Sequence, residues 1–355
     1  MNTNPNHNAS RPDTSFDPNA EAECNGLFGL PCTTLESRVV LVPVPFDATT
    51  SFRKGAAEGP RLIREASWQV DLWDNETNNP WKHGIAMMDE PSHIATLNHE
   101  ARLLLSDEAC KKRTSAIDRV NTIGDKVAAW VNQNTQELLR AGKLVGIVGG
   151  DHSTPLGAIT AIAEHYRSIG VLHIDAHADL RPAFQGLKHS HASIMYNVLH
   201  QSERVERITQ VALRDLCEME MHTIRDDCRL ISFFDSDMAQ ALFGGRTLAS
   251  YMRQVVDTLP ENVYVSFDID GLEPSLCPGT GTPVPGGLSF QQACFLIGEV
   301  VRSGRRIVGF DLCEVASGGV HSGIDGIVGA RILYKLIGWA LVGLDAQKES
   351  VAPTN

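Results

Sequence analysis

Four places in this sequence set acids and imidazoles where an apolar run stops, and those residues are the first that could do chemistry. The run 170–179, GVLHIDAHAD, begins as a strand and then presents Asp175, His177 and Asp179 at alternate positions. Period-two spacing puts the three on one side of an extended chain. Crowded there without a cation, they would repel and desolvate one another. The run 263–271, VYVSFDIDG, repeats the device with Asp268 and Asp270. In 147–153, IVGGDHS, paired glycines let the backbone turn sharply and bring His152 close to the sheet top. By itself His152 could be a capping or core histidine, with Asp151 orienting it. The fourth run, 308–316, VGFDLCEVA, ends on Glu314. That acid could be a further ligand, a structural partner of an arginine, or a carboxylate that binds substrate.

Together His152, Asp175, His177, Asp179, Asp268 and Asp270 are enough to hold two divalent ions with shared carboxylates between them. Carboxylate oxygen and imidazole without thiolate suit Mn²⁺ best and are compatible with Ni²⁺, Co²⁺ or Fe²⁺. A structural zinc is not expected. Two such ions a few Å apart bring the pKa of a shared water into the neutral range, and hydrolysis is the natural consequence.

These residues need a scaffold that gathers strand ends, and in open α/β sheets ligand sites lie beyond the carboxyl ends of the strands. From Val39 onward, short β-branched runs alternate with longer amphipathic segments, the pattern of a mostly parallel sheet of about eight strands with helices on both faces. Strands are expected at 39–43, 85–88, 144–148, 170–175, 209–213, 230–234, 263–268 and 307–312. The clearest helices are expected at 117–141, 290–303 and 324–341, with Thr154 and Ser289 as helix starts. The reading is one α/β catalytic domain over 38–345, preceded by an extension, 1–37, and followed by a tail, 346–355. The extension reads as a disordered tail in preference to an arm that packs on a neighbouring subunit.

With 31 basic and 43 acidic residues among 355, the net charge of −12 argues against nucleic acid or an anionic membrane as partner. A small cationic substrate suits that field weakly, since an acidic surface also serves solubility. The eight cysteines lack the short paired spacings of zinc or redox motifs and read as free thiols. With a polar first 25 residues and no apolar leader, the expected location is the cytoplasm. The apolar stretch 326–344 carries Arg331 and Lys335 and reads as a buried helix, not a membrane span.

The motifs at 149–153, 175–179 and 266–271 resemble the three metal-binding signatures of the ureohydrolases, the arginase and agmatinase family. The likeness continues through 42–47 with Gly55, Gly59 and Pro60, through 279–287, GTGTPVPGG, and through 309–315. It covers nearly everything from Val39 to the last helix and implies a three-layer arginase-like fold. By this resemblance His152, Asp175, Asp179 and Asp268 would hold one Mn²⁺-type ion and Asp175, His177, Asp268 and Asp270 the other, with Asp175 and Asp268 bridging. A bridging hydroxide would then attack the guanidinium carbon. Glu314 would bind the guanidinium nitrogens, a role that also suits a carboxylate facing a planar fork of N–H donors. Catalytic roles fall to His191, Asp270 and Glu314, and substrate contacts to Glu314 and Thr282. Assembly as a homo-oligomer, a trimer or hexamer, is implied as well.

The family's proton-shuttling histidine matches His191 in 190–193, SHAS, with His189 as competitor and Ala192 departing from the usual glycine. Imidazole titrates near neutral pH and can deliver a proton to a departing amine. Between the carboxylate run and His189 the chain reads LRPAFQGLK, without the Ser/Asn-rich stretch by which arginases grip an amino-acid head. True arginase is therefore disfavoured against agmatinases, guanidinobutyrases and guanidine hydrolases. Arg181 or Lys188 could answer a distal carboxylate. A binuclear phosphoesterase would need an Asn-His pair that is missing, and the one-zinc deacetylases of this fold would not need six ligands. A catalytically weak subunit supporting an active partner is the alternative. The 279–287 loop lacks the Lys-Ser/Thr of a phosphate cradle and reads as a pocket wall.

Overall fold

A computed structural model describes residues 16–22, 25–106, 114–317 and 323–351. Residues 1–15 of the expected extension, the end of the expected tail, 352–355, and Cys24 and Cys110 lie outside the described residues. Eight strands, β1 Val39–Val44, β2 Ile85–Met87, β3 Leu144–Gly149, β4 Ile169–Ile174, β5 Val205–Leu213, β6 Leu230–Phe234, β7 Asn262–Asp268 and β8 Arg306–Cys313, form one sheet in the order β2-β1-β3-β8-β7-β4-β5-β6. Every neighbouring pair is parallel, so the sheet is wholly parallel where the sequence suggested mostly so.

Successive strand residues point to opposite faces and feed two separate cores. Leu172, Ile174, Val263, Val265 and Phe267 enter one, which is covered by α1 Gly59–Ser67, α8 Leu248–Val256, α9 Phe290–Arg302 and α10 Ile324–Val351. Val42, Val44, Val171 and Tyr264 enter the other, beneath α2 Ser92–Ser106, α3 Thr114–Arg140, α4 Leu156–Tyr166 and α5 Ile194–Gln201. Helices α6 Glu218–Asp226 and α7 Asp235–Phe243 flank the β5–β6 edge. Fully burying one such apolar side chain stabilises by about 1.5–3 kcal/mol, so two cores hold the strand ends firmly in register.

Ser289 caps α9 as expected, accepting from Gln292 N while the Gln292 side chain accepts from Ser289 N. Thr154 does not cap α4: its hydroxyl donates to Asp151 O and the cap position is Pro155. Helix α10 runs past the expected Leu341 to Val351. It is long and apolar enough to cross a membrane, yet 72% of its most apolar window is buried inside the fold. The stretch after Asn25 is not a tail. Leu27, Phe28 and Leu30 are buried, and the Phe28 ring meets Tyr334 of α10 edge-on at 4.8 Å. The six described cysteines are free thiols.

Candidate active site

The four sequence runs end the four central strands, which lie side by side in the order β3-β8-β7-β4. His152 follows β3, Glu314 follows β8, Asp268 and Asp270 close β7, and Asp175, His177 and Asp179 follow β4. A side chain at Gly150 would collide with the Phe46 carbonyl, to which Asp151 N donates, so only glycine lets β3 pack so closely against the loop after β1. Asp179 and Glu314 both take left-handed backbone angles, φ 55° and 61°. For residues with a Cβ that conformation costs about 1–2 kcal/mol, and it aims both carboxylates at the strand-end crevice.

His152 Nδ1 stands at the centre of three carboxylates, 2.9 Å from Asp175 Oδ2, 3.2 Å from Asp179 Oδ2 and 3.3 Å from Asp268 Oδ2. Its other nitrogen lies 2.9 Å from Ser266 Oγ and 3.8 Å from Asp311 Oδ1, which fixes the ring with Nδ1 toward the acids. His177 Nδ1 lies 3.4 Å from Asp175 Oδ1 and 3.1 Å from Asp270 Oδ2. Asp175 thus faces both imidazoles, one with each oxygen. Asp268 Oδ1 accepts from Asp270 N and holds that turn closed. All six residues expected as metal ligands therefore converge.

The electrostatics show a site short of positive charge. Burial, then repulsion from Asp270 and Asp175, pushes Asp268 well above the usual carboxylate range. Burial and the charge of Asp175 raise Asp179 to about 6. Burial opposes charge on His177, but Asp270 and Asp175 outweigh it and raise the imidazole to about 12. For Asp175 too burial pushes upward, yet His173, His152 and His177 hold it well below its ordinary value. Buried acids stripped of water and set against one another need cations, and the donor set of imidazole and carboxylate fits two divalent ions. His152, Asp175, Asp179 and Asp268 surround one position; Asp175, His177 and Asp270 surround the other.

Beside this cluster lies a pocket of about 190 Å³, whose walls include His177, Asp179, His191, Asp215 and Thr282. Thr282 donates to Asp270 Oδ2 at 3.3 Å. His191 Nδ1 lies 3.7 Å from Glu314 Oε1, and burial followed by the charge of His177 lowers its imidazole to about 3, so it is neutral. The competitor, His189, turns away: its Nε2 meets Asp125 Oδ1 of α3 at 2.7 Å, and its ring packs where Gly124 leaves room. Glu314 Oε1 accepts from His152 N, whereas Oε2 is buried with no hydrogen-bond partner among the described residues. No arginine pairs with it there, which removes the structural ion-pair reading. Burial and the charges of Asp268 and Asp151 raise this carboxyl well above its ordinary value.

Arg181 lines the pocket, its guanidinium 4.7 Å over the Phe184 ring and its Nε 3.6 Å from Glu220 Oε2. Lys188 does not: it is exposed and outside the pocket lining, with its backbone N–H on Asn121. Asp151 does not orient the His152 ring. It accepts from Thr49 and Ser153 and pins the loop after β1. His173, which sequence reading passed over, has Nε2 2.9 Å from Asp175 Oδ2. Its signal was present, since 173, 175, 177 and 179 share one parity. Ser266 and Asp311 gave none, because their contact with His152 comes from strand order.

A family model described as the arginase family matches residues 37–338. The N(1)-aminopropylagmatine ureohydrolase of Thermus thermophilus is 33% identical over 316 residues, 88% of this chain and 92% of that protein. The agmatinase of Salmonella newport is 29% identical over 300 residues, 84% and 86%. The crystal structure of the agmatine ureohydrolase of Thermoplasma volcanium superposes with a TM-score of 0.66 over 90% of this chain and 94% of that one, at 23% identity. Proclavaminate amidino hydrolase from Streptomyces clavuligerus gives 0.69, covering 90% and 98%, also at 23%. With eight parallel strands whose ends gather these histidines and acids, and a match spanning 37–338, the chain belongs to the arginase family.

Proposed function

We propose that this protein hydrolyses the C–N bond of a small guanidino compound, agmatine or a relative without an amino-acid head, to urea and an amine. The observation that carries the reading is the convergence of His152, His177 and four buried carboxylates next to a pocket lined by His191, whose Nδ1 lies 3.7 Å from Glu314 Oε1. Two divalent ions there, Mn²⁺ before Ni²⁺, would supply charge that activates water near neutral pH. Glu314 has one buried oxygen without a partner and binds the guanidinium fork. Thr282, already on Asp270, contacts the same group from the loop side. His191 hands a proton to the departing amine, which leaves as a better leaving group.

Substrate choice rests on the pocket wall. The 180–189 segment offers Arg181 and Phe184 in place of a Ser/Asn-rich grip, and the relatives above are named for agmatine and its aminopropyl derivative. The test is urea release from guanidine, methylguanidine, agmatine, guanidinobutyrate and arginine after loading with Mn²⁺ or Ni²⁺. Arginine as the preferred substrate would overturn the assignment to this branch, and no urea from any of them would overturn the reaction class.

A further inference from the structure

His191 has two nitrogens, and they face different spaces. Nδ1 looks toward Glu314 Oε1 at 3.7 Å, on the side where substrate is read above. Nε2 lies 3.2 Å from Ser51 Oγ. Ser51 is exposed and forms part of the wall of two cavities: the 190 Å³ pocket beside the carboxylates and a second, wider one of about 750 Å³. The second cavity is lined by Lys54, His99, Arg102 and Gln185 as well, but not by His191. The serine is therefore the element through which the half-buried imidazole reaches the wider space.

The loop that carries Ser51 is held at every end. Asp47 Oδ2 accepts from Gly55 N and closes it, and Lys54 Nζ donates to the carbonyls of Ala48 and Thr50 across it. Thr49 Oγ1 donates to buried Asp151 and accepts the His191 N–H at 2.9 Å. Backbone and ring of His191 are thus both fixed by this one loop. Such locking by neighbouring hydrogen bonds keeps catalytic groups in working geometry.

We propose that Ser51 is the relay and positioning residue of His191, donating its hydroxyl proton to Nε2 so that Nδ1–H faces the departing amine. This rests on the reading of His191 as the proton shuttle. In the step, the His191 Nδ1–H bond breaks and its proton forms a new N–H bond on the amine, while the Ser51 O–H proton moves to Nε2. Ser51 regains a proton from water in the wider cavity. The proton released by the attacking water then passes to Nδ1 while the Nε2 proton returns through Ser51 to solvent, which restores the starting tautomer and balances protons and charge over a turnover. A neutral imidazole can release its one N–H without becoming an anion only if its other nitrogen is protonated at the same time. Burial holds His191 in that neutral form.

The full-length protein, loaded with Mn²⁺, is assayed as wild type, Ser51→Ala, Ser51→Thr and His191→Asn on the best substrate of the panel above. Ser51→Ala is expected to lower kcat about tenfold or more, part of the roughly 10²–10⁴ that acid–base assistance contributes, with KM unchanged. Ser51→Thr retains the hydroxyl and is expected to stay near wild type with or without added imidazole, whereas added imidazole is expected to restore Ser51→Ala. Independently of turnover, long-range ¹H–¹⁵N spectra of the metal-free chain should show His191 protonated at Nδ1 and accepting at Nε2. A wild-type kcat in Ser51→Ala beside a disabled His191→Asn overturns the relay alone, as does a proton resident on Nε2. A loss in Ser51→Ala that neither imidazole nor threonine relieves assigns Ser51 a purely structural role. Wild-type turnover in His191→Asn overturns the shuttle reading itself.

Discussion

Replacing Glu314 by glutamine removes one charge from a buried site while keeping its shape. The carboxylate has no arginine or lysine partner among the described residues, and its Oε2 is buried without a hydrogen bond. The substitution therefore breaks no ion pair, and the amide oxygen can still accept from His152 N. A charge-assisted hydrogen bond to a desolvated guanidinium contributes roughly 1.5–3 kcal/mol. At about 1.4 kcal/mol per tenfold, Glu314→Gln should lower kcat/KM for any guanidino substrate by about 10- to 150-fold. Stability should move the other way. An acid whose folded pKa is raised opposes folding as pH climbs above its unfolded value, so the neutral amide should leave the metal-free melting temperature unchanged or higher at neutral pH. Urea release, ions bound per chain and melting temperature on one purified variant separate the roles. Unchanged kcat/KM would refute substrate binding by Glu314, and loss of an ion would make it a ligand.

Asp268→Ala should lose both ions and all activity, because Asp268 faces His152 at 3.3 Å and orders the Asp270 turn; elemental analysis with retention of one tight ion would contradict it. His191→Asn should keep its metals and lose about 10²–10⁴ in turnover, whereas His189→Asn, tied to Asp125, should keep turnover. The reverse pattern in a urea assay would exchange their roles. In chelator, the melting temperature should fall as pH rises from about 4 toward 9. The raised acids Asp179 and Asp268 and the raised bases His152 and His177 all bind protons more tightly folded than unfolded, so folding loses stability as those protons leave the unfolded chain. Added Mn²⁺ should flatten or reverse that slope, and a pH-independent melting curve in chelator would count against a cation-starved cluster.

The candidate ligands were legible because a parallel strand announces its end: apolar residues stop and polar ones begin at period two, so 175, 177 and 179 declare a common face before any fold is known. Strand adjacency was not, and it decides which ends meet. Nothing in the spacing of 152, 175, 268 and 314 says that β3, β8, β7 and β4 are neighbours, and the Ser266–His152 contact exists only because they are. The choice between His189 and His191 rested on likeness to family motifs. Packing against Gly124 of α3 turns one ring outward and a hydroxyl-bearing loop turns the other inward. Of that loop, 47–55, only Asp47 and Gly55 entered the family likeness. Its hydrogen bonds to Asp151 and to the His191 backbone show that it holds His191 in place. The segment after Asn25 misled because its opening is polar, while its three apolar residues at 27, 28 and 30 find their place against the far-distant helix α10.

The central claim is a two-ion centre that cleaves guanidino compounds, and one titration tests it most directly. Metal-stripped full-length protein is supplied with increasing Mn²⁺, and ions bound per chain are measured alongside urea release from the best substrate of the panel. Urea release should rise with the second ion and reach its plateau at two ions per chain, with chelation abolishing it. Full urea release with one ion or none would contradict the claim.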